Sequence, residues 1–327
     1  MTGDLSNWAL AAHDMIQNFP PELLVHIFRY ACVDEGVTAR SLSLTSKYVS
    51  SVSSQFLFNT LHLASVDSLQ CAVRRLSSLP PHLRQVYHLF VSDLGRQTPA
   101  KSKPDLSECF TQLSSDLFSQ ILLLTAPTLR TLTVIIRTAR ISSIPECIAH
   151  TAMHDLTDLT LSFNPTRIAV PLDPASRNPP SANLPRLRHL HIDTCHVLSS
   201  AVAPAVALIT AHAPRLATLH VSDVLLMPGC AAVLARMLGR LPLRDSYGWV
   251  VPEDVIDSTT RLPFSVREFA LQVRDWPLTF VPELALVEVM ASMDYGDGFV
   301  LLPPGRESRP WKKEWLARVA DRSLEDV

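Results

Sequence analysis

Glycine is scarce in this chain, 9 in 327 residues, while proline numbers 25. No P-loop, GxGxxG, GxSxG or HExxH motif occurs, so the common phosphate-cradling, hydrolase and metalloprotease signatures are all missing. Lysine is rarer still: Lys47, Lys101, Lys103, Lys312 and Lys313 stand against 24 arginines, and no basic run marks a nucleic-acid footprint. The six cysteines (32, 71, 109, 147, 195 and 230) are never closer than 35 residues, which rules out a local zinc knuckle or CxxC pair. Such isolated cysteines read as reduced core residues of a cytosolic or nuclear protein. No apolar run approaches the ~18 residues of a membrane helix. The opening MTGDLSNWAL has no basic n-region, so no signal peptide is expected. Net charge is −2, and 47% of residues are hydrophobic, enough for a substantial core.

What is present begins at residues 19–58, FPPELLVHIFRYACVDEGVTARSLSLTSKYVSSVSSQFLF. Pro20 and Pro21 suit a helix's first turn, where a missing N–H costs nothing. Leu23, Leu24, Ile27, Phe28 and Ala31 then recur at helical spacing, a face too wide for one short helix to bury. Leu42 and Leu44 precede Thr45-Ser46, a capping pair for a further helix carrying Tyr48, Val49, Val52 and Phe56. Three short helices in about 40 residues leave surplus apolar surface for a partner.

These residues resemble the F-box, the three-helix module that docks on the linker protein of SCF-type cullin–RING ubiquitin ligases. Its Leu-Pro-x-Glu-Leu-Leu-x-x-Ile-Phe opening appears as Phe19 to Phe28, with Phe for Leu at position 19. Its Leu-x-Leu-(Thr/Val)-(Ser/Cys)-Lys element appears as Leu42 to Lys47. By resemblance, Pro20, Glu22, Leu24, Ile27, Phe28, Leu42 and Val49 meet the SKP-type linker, with a cullin beyond it, and Leu23 packs inside. The plainer reading is a helical subdomain packed on the rest of the chain.

A strand-like unit recurs downstream. It runs Phe58-x-x-Leu61-x-Leu63, Val86-x-x-Leu89-x-Val91, Leu129-x-x-Leu132-x-Val134 and Leu156-x-x-Leu159-x-Leu161. It continues as Leu187-x-x-Leu190-x-Ile192, Leu216-x-x-Leu219-x-Val221 and Val266-x-x-Phe269-x-Leu271, with Leu284, Val287 and Val289 as a possible last copy. Intervals of 28, 43, 27, 31, 29 and 50 residues resemble degenerate leucine-rich repeats, which run roughly 20–29. The usual Asn or Cys at position 9 is met only by Asn164 and Cys195. Helical patterns lie at 66–78, 107–126, 200–213 and 228–241, and irregular insertions at 93–106, 165–184, 242–263 and 294–310.

The expected fold class is therefore α/β: an N-terminal three-helix F-box, then an irregular leucine-rich-repeat-like solenoid with a parallel sheet. The divisions are an extension at 1–15, the F-box at 16–60, the repeat domain at 61–290, and a C-terminal loop and helix at 291–327. The helix of 311–320, with Trp311, Trp315 and Val319 on one face, is expected to cap the last repeat. The rival arrangement is amphipathic helices packed on one open sheet.

Positions 3, 5 and 7 of each unit alternate away from the core. They bring His88, Phe90, Asp158, His189, His191, Asp193 and His220 to one face, expected to be concave, solvated and substrate-binding. In register, His191 and His220 are neighbours about 4.8 Å apart. With Asp193 they form a possible divalent-metal or pH-sensitive group, against the plainer reading of a solvated polar stripe. No metal or cofactor is assigned. Asp294-Tyr295-Gly296-Asp297-Gly298 lacks a closing glutamate and reads as a turn rather than a calcium loop.

The resemblance implies a non-catalytic adaptor, cytoplasmic or nuclear, that brings an unspecified protein substrate to the ligase without contacting nucleic acid or membrane. Long Pro-rich insertions and irregular repeats are similar to the large F-box sets of mushroom-forming fungi. The alternative is a leucine-rich-repeat-like scaffold outside any ligase.

Overall fold

The computed structural model describes residues 18–92, 116–136, 144–163, 182–193, 202–224, 262–274, 298–305 and 313–319, with single positions at 226, 234, 237, 238, 284 and 287. An N-terminal helical region is followed by one parallel sheet of eight strands alternating with helices. Two compact units result: Met1–His62 with Leu79–Leu89 and Pro310–Val327, and Leu63–Ser78 with Phe90–Arg309.

In the first unit the head helices run Pro21–Ala31, Val37–Ser43 and Lys47–Ser53, the last continued by a 3-10 turn at Ser54–Phe56. Pro20 is the N-cap of the first helix and Pro21 its first residue, as the proline pair predicts. Ser46 caps the third, its Oγ accepting the Val49 N–H at 3.2 Å. Between the first two helices the chain turns through left-handed Glu35 (φ 60°) and Gly36 (φ 76°). Asp34 fixes that turn: its carboxylate accepts from the Thr38 N–H at 3.1 Å and from the Thr38 hydroxyl at 2.6 Å. The head has its own core of Leu24, Phe28, Cys32, Ala39, Val49, Val52 and Phe56, with Phe28 edge-on to Phe56 at 6.4 Å.

The strands are β1 (Thr60–Leu63), β2 (His88–Ser92), β3 (Thr131–Ile136), β4 (Asp158–Phe163), β5 (His189–Asp193), β6 (Thr218–Val224), β7 (Glu268–Arg274) and β8 (Phe299–Gly305). Their order in the sheet is their order in the chain. From β3 to β7 the repeat positions align one for one, with Leu132, Leu159, Leu190, Leu219 and Phe269 in one row. All five are buried, as are Leu129, Leu156, Leu187 and Leu216 at position 1. A backbone rule repeats with them: the carbonyl at position 2 of one unit accepts the N–H groups of positions 2 and 3 in the next. Arg130 thus serves Thr157 and Asp158, Thr157 serves Arg188 and His189, and Arg188 serves Ala217 and Thr218. This satisfies polar groups where each strand begins, whatever side chain stands there.

Helices connect the strands at Val66–Ser78, 116–125, Ile144–His150 and Val202–Ala211, while Leu234 and Met237 are helical between β6 and β7. The expected helix at 66–78 is found with its buried face of Leu69, Val73 and Leu76. Ile144–His150 was not expected; seven residues led by Ile-Pro are too few to show a helical period.

Two readings near the C-terminus are corrected. Leu284 and Val287 are helical, not strand, and the last strand is Phe299–Gly305, inside the stretch read as a loop. Pro303 and Pro304 hid it, because proline disfavours strands except at a sheet edge, and β8 is the edge. Residues 313–319 form a helix with Trp315 and Val319 buried, in the same compact unit as the head. The insertions at 93–106, Asn164, Cys195, Trp311, Val289 and most of 242–263 lie outside the described residues.

Candidate partner-binding surfaces

On the head, the first helix carries two apolar stripes a residue apart. Leu24 and Phe28, continued by Cys32, point into the core. Leu23, Ile27 and Ala31, rotated by about 100°, point out, with Leu23 49% and Ile27 52% exposed. This reverses the expected assignment of Leu24 and Leu23. Phe28 and Val49, also expected at the surface, are buried in the same core, and Leu42 is half-buried against it. Pro20, Glu22 and Ile27 are exposed as expected. The reason is the second and third helices: Ala39, Val49, Val52 and Phe56 need a complementary stripe, and the aromatic Phe28 fills the space facing Phe56.

Three further apolar residues of the head, not assigned to the surface from sequence, are exposed as Ile27 is. Phe19 is 43%, Leu23 49% and Leu44 87% exposed. The Tyr48 hydroxyl donates to the Phe19 carbonyl at 2.7 Å, tying the start of the first helix to the third. The i, i+4 pair Leu23–Ile27 signalled a second stripe, and a helix this short must expose one of the two, but the spacing does not say which.

Cys32, at the end of the first helix, is buried in the head core. Burial, and secondarily the Asp34 carboxylate, push its thiol up to about 11. At neutral pH it is an inert thiol, a small core hydrophobe.

On the sheet, positions 3, 5 and 7 of β3 to β7 align in three rows on one face. The first is Thr131, Asp158, His189, Thr218 and Glu268; the second Thr133, Thr160, His191, His220 and Ala270; the third Ile135, Ser162, Asp193 and Ser222. Exposure falls along the strands. His189 and Glu268 are exposed and Asp158 is half-buried, whereas His191 is 9%, Asp193 1% and Ser222 1% exposed. Phe90 is buried and His88 half-buried in β2. The expected solvated stripe is therefore corrected: His189 and Glu268 alone of these three rows are exposed, Asp158, Thr218 and His220 are half-buried, and the remaining positions are buried.

Hydrogen bonds knit the deeper rows together. Ser162 donates to the Asp193 carboxylate at 2.9 Å, and His191 Nε2 pairs with Ser222 Oγ at 2.8 Å. His191 and His220 are register partners, and their rings stack at 4.4 Å with 6° between planes. A metal bound by imidazole lies near the plane of its ring, and one ion cannot lie in two parallel planes this far apart. The stacked rings do not chelate, and no cluster of three or more metal-ligating side chains occurs among the described residues. A serine hydrogen-bonded to histidine is also how nucleophiles are activated, but burial of Ser222 makes this pair a structural link between β5 and β6.

No protein-family model, no curated protein and no solved structure matches the chain. What the fold establishes is an N-terminal helical region followed by a parallel eight-stranded sheet with interspersed helices. Among the described residues no helix is long and apolar enough to cross a membrane.

Proposed function

We propose that the chain is a substrate-recognition adaptor of an SCF-type cullin–RING ubiquitin ligase, its head docking an SKP-type linker protein and its sheet domain holding a protein substrate. The role is proximity: tethering a substrate near the ligase raises the local concentration of its acceptor lysines. The observation that carries this reading is the set Phe19, Leu23, Ile27 and Leu44, exposed on a head whose own core is already filled. Burying one such side chain in a partner contributes about 1.5–3 kcal/mol. The F-box-like motif supplies the partner's identity, and Pro20 and Glu22, exposed between these residues, complete the docking edge. On the sheet, His189 and Glu268 are exposed to a substrate and Asp158 is half-buried beside His189. Such an adaptor works in the cytoplasm or nucleus.

The test is co-purification of the full chain with the linker protein and cullin, comparing wild type with the double variant Leu23→Glu/Ile27→Glu. Loss of both partners, with Cys32 still protected from alkylation, supports the reading. Equal recovery from both proteins leaves the scaffold alternative, a repeat protein outside any ligase.

A further inference from the structure

The deeper polar rows of the sheet hold a feature that adaptor function does not call for. His191 and His220 stack face to face at 4.4 Å across β5 and β6, and His191 is nearly inaccessible to solvent. Two imidazolium charges at that distance repel each other in a medium far less polarisable than water. With an effective dielectric constant of about 20, the second proton binds on the order of several hundred-fold more weakly than the first.

The remaining titratable groups on that face, among the described residues, decide how many protons the stack accepts. Along β5 stand His189 and Asp193; β4 contributes Asp158, and β7 contributes Glu268. β3 presents only Thr131, Thr133 and Ile135; β6 presents Thr218 and Ser222 beside His220, followed at its bulge by the half-buried carboxylate Asp223. Asp158, His189 and Glu268 lie in the first row with access to water. Asp193 is the buried carboxylate among them, two residues from His191 on the same strand face, about 7 Å along it. One buried carboxylate balances one imidazolium. It does not balance two.

We propose that the stacked pair His191–His220 is an acid-sensitive latch in the sheet, holding at most one proton while folded and opening the β5–β6 seam when acidification demands a second. The link from His191 to Ser222 survives a single protonation, because Nε2 can donate as well as accept. Forced to carry a second charge, the rings separate, and the hydrogen bond to Ser222 goes with them. Because the unfolded chain takes both protons near pH 6.5, folding loses stability as pH falls below that value. At about pH 5, one withheld proton shifts the unfolding equilibrium by roughly thirty-fold relative to neutral pH.

Urea unfolding of the full chain at about pH 7.5 and pH 5, for wild type and His220→Phe, tests this. Phenylalanine keeps a stacked ring and removes the second charge. The wild-type equilibrium should shift roughly thirty-fold more between the two pH values than that of the variant. An equal shift in both overturns the proposal. If His220→Phe does not fold, imidazole NMR of the wild type decides. One ring still uncharged at pH 5 supports the latch, and both rings titrating freely near pH 6.5 overturns it.

Discussion

Truncating Phe28 to alanine tests the inward stripe of the head most sharply. Phe28 is buried and edge-on to Phe56 at 6.4 Å. Removing a buried phenylalanine costs about 3–5 kcal/mol, of which the aromatic pair accounts for about 0.5–1.5. Cys32, one helical turn on, reports the result. It is buried and its thiol is raised to about 11, so in the native head it reacts with iodoacetamide only through opening. The alkylation rate then follows the opening equilibrium, and 3–5 kcal/mol predicts acceleration by roughly 150- to 5,000-fold. The matched control is Ile27→Ala on the outward stripe, where about 0.5 kcal/mol or less changes the rate at most a few-fold. Alkylation of exposed Cys71 gives the unprotected reference in each sample. Comparable acceleration by both substitutions, or by neither, would refute the two-stripe assignment.

Gly36→Ala should destabilise the head by at least about 1–2 kcal/mol for the left-handed backbone alone. A Cβ there would also meet the Leu57 carbonyl oxygen at 2.8 Å, so the thermal midpoint should fall more than for Ala at an exposed helical site. Raising the pH should weaken the head through Cys32, whose pKa is higher folded than unfolded. Its contribution is complete below about 9 and is lost as pH rises toward 11, about 2–3 kcal/mol in all, and Cys32→Ala should flatten that slope. In the sheet, Leu190→Ala should cost about 2–5 kcal/mol by urea unfolding, because Leu159 and Leu219 flank it in register and all three are buried. Leu123→Ala, 66% exposed on its helix, should be nearly silent.

The sheet was legible because its rule is local. Apolar residues at positions 1, 4 and 6 place one inward row wherever the strand starts, and backbone pairing at position 2 requires no particular side chain. The same logic brought His191 opposite His220. Burial of the polar face was not legible: Thr133, Thr160, Asp193 and Ser222 have the composition of a solvated stripe, and the partners of two of them, Ser162 for Asp193 and His191 for Ser222, show only once the strands are in register. Neither was the inward stripe of the head, since Leu23–Ile27 and Leu24–Phe28 have the same spacing. Phe56, some 28 residues later, decides between them. β8 was missed because two prolines carry a turn signal that the edge of a sheet tolerates.

Calorimetric titration of the purified full chain with the purified SKP-type linker protein tests the adaptor role most directly. Saturable one-to-one binding, with a dissociation constant raised at least a hundredfold by Leu23→Glu/Ile27→Glu while Cys32 stays protected, is the predicted result. No heat of binding from a chain whose head is demonstrably folded would contradict it.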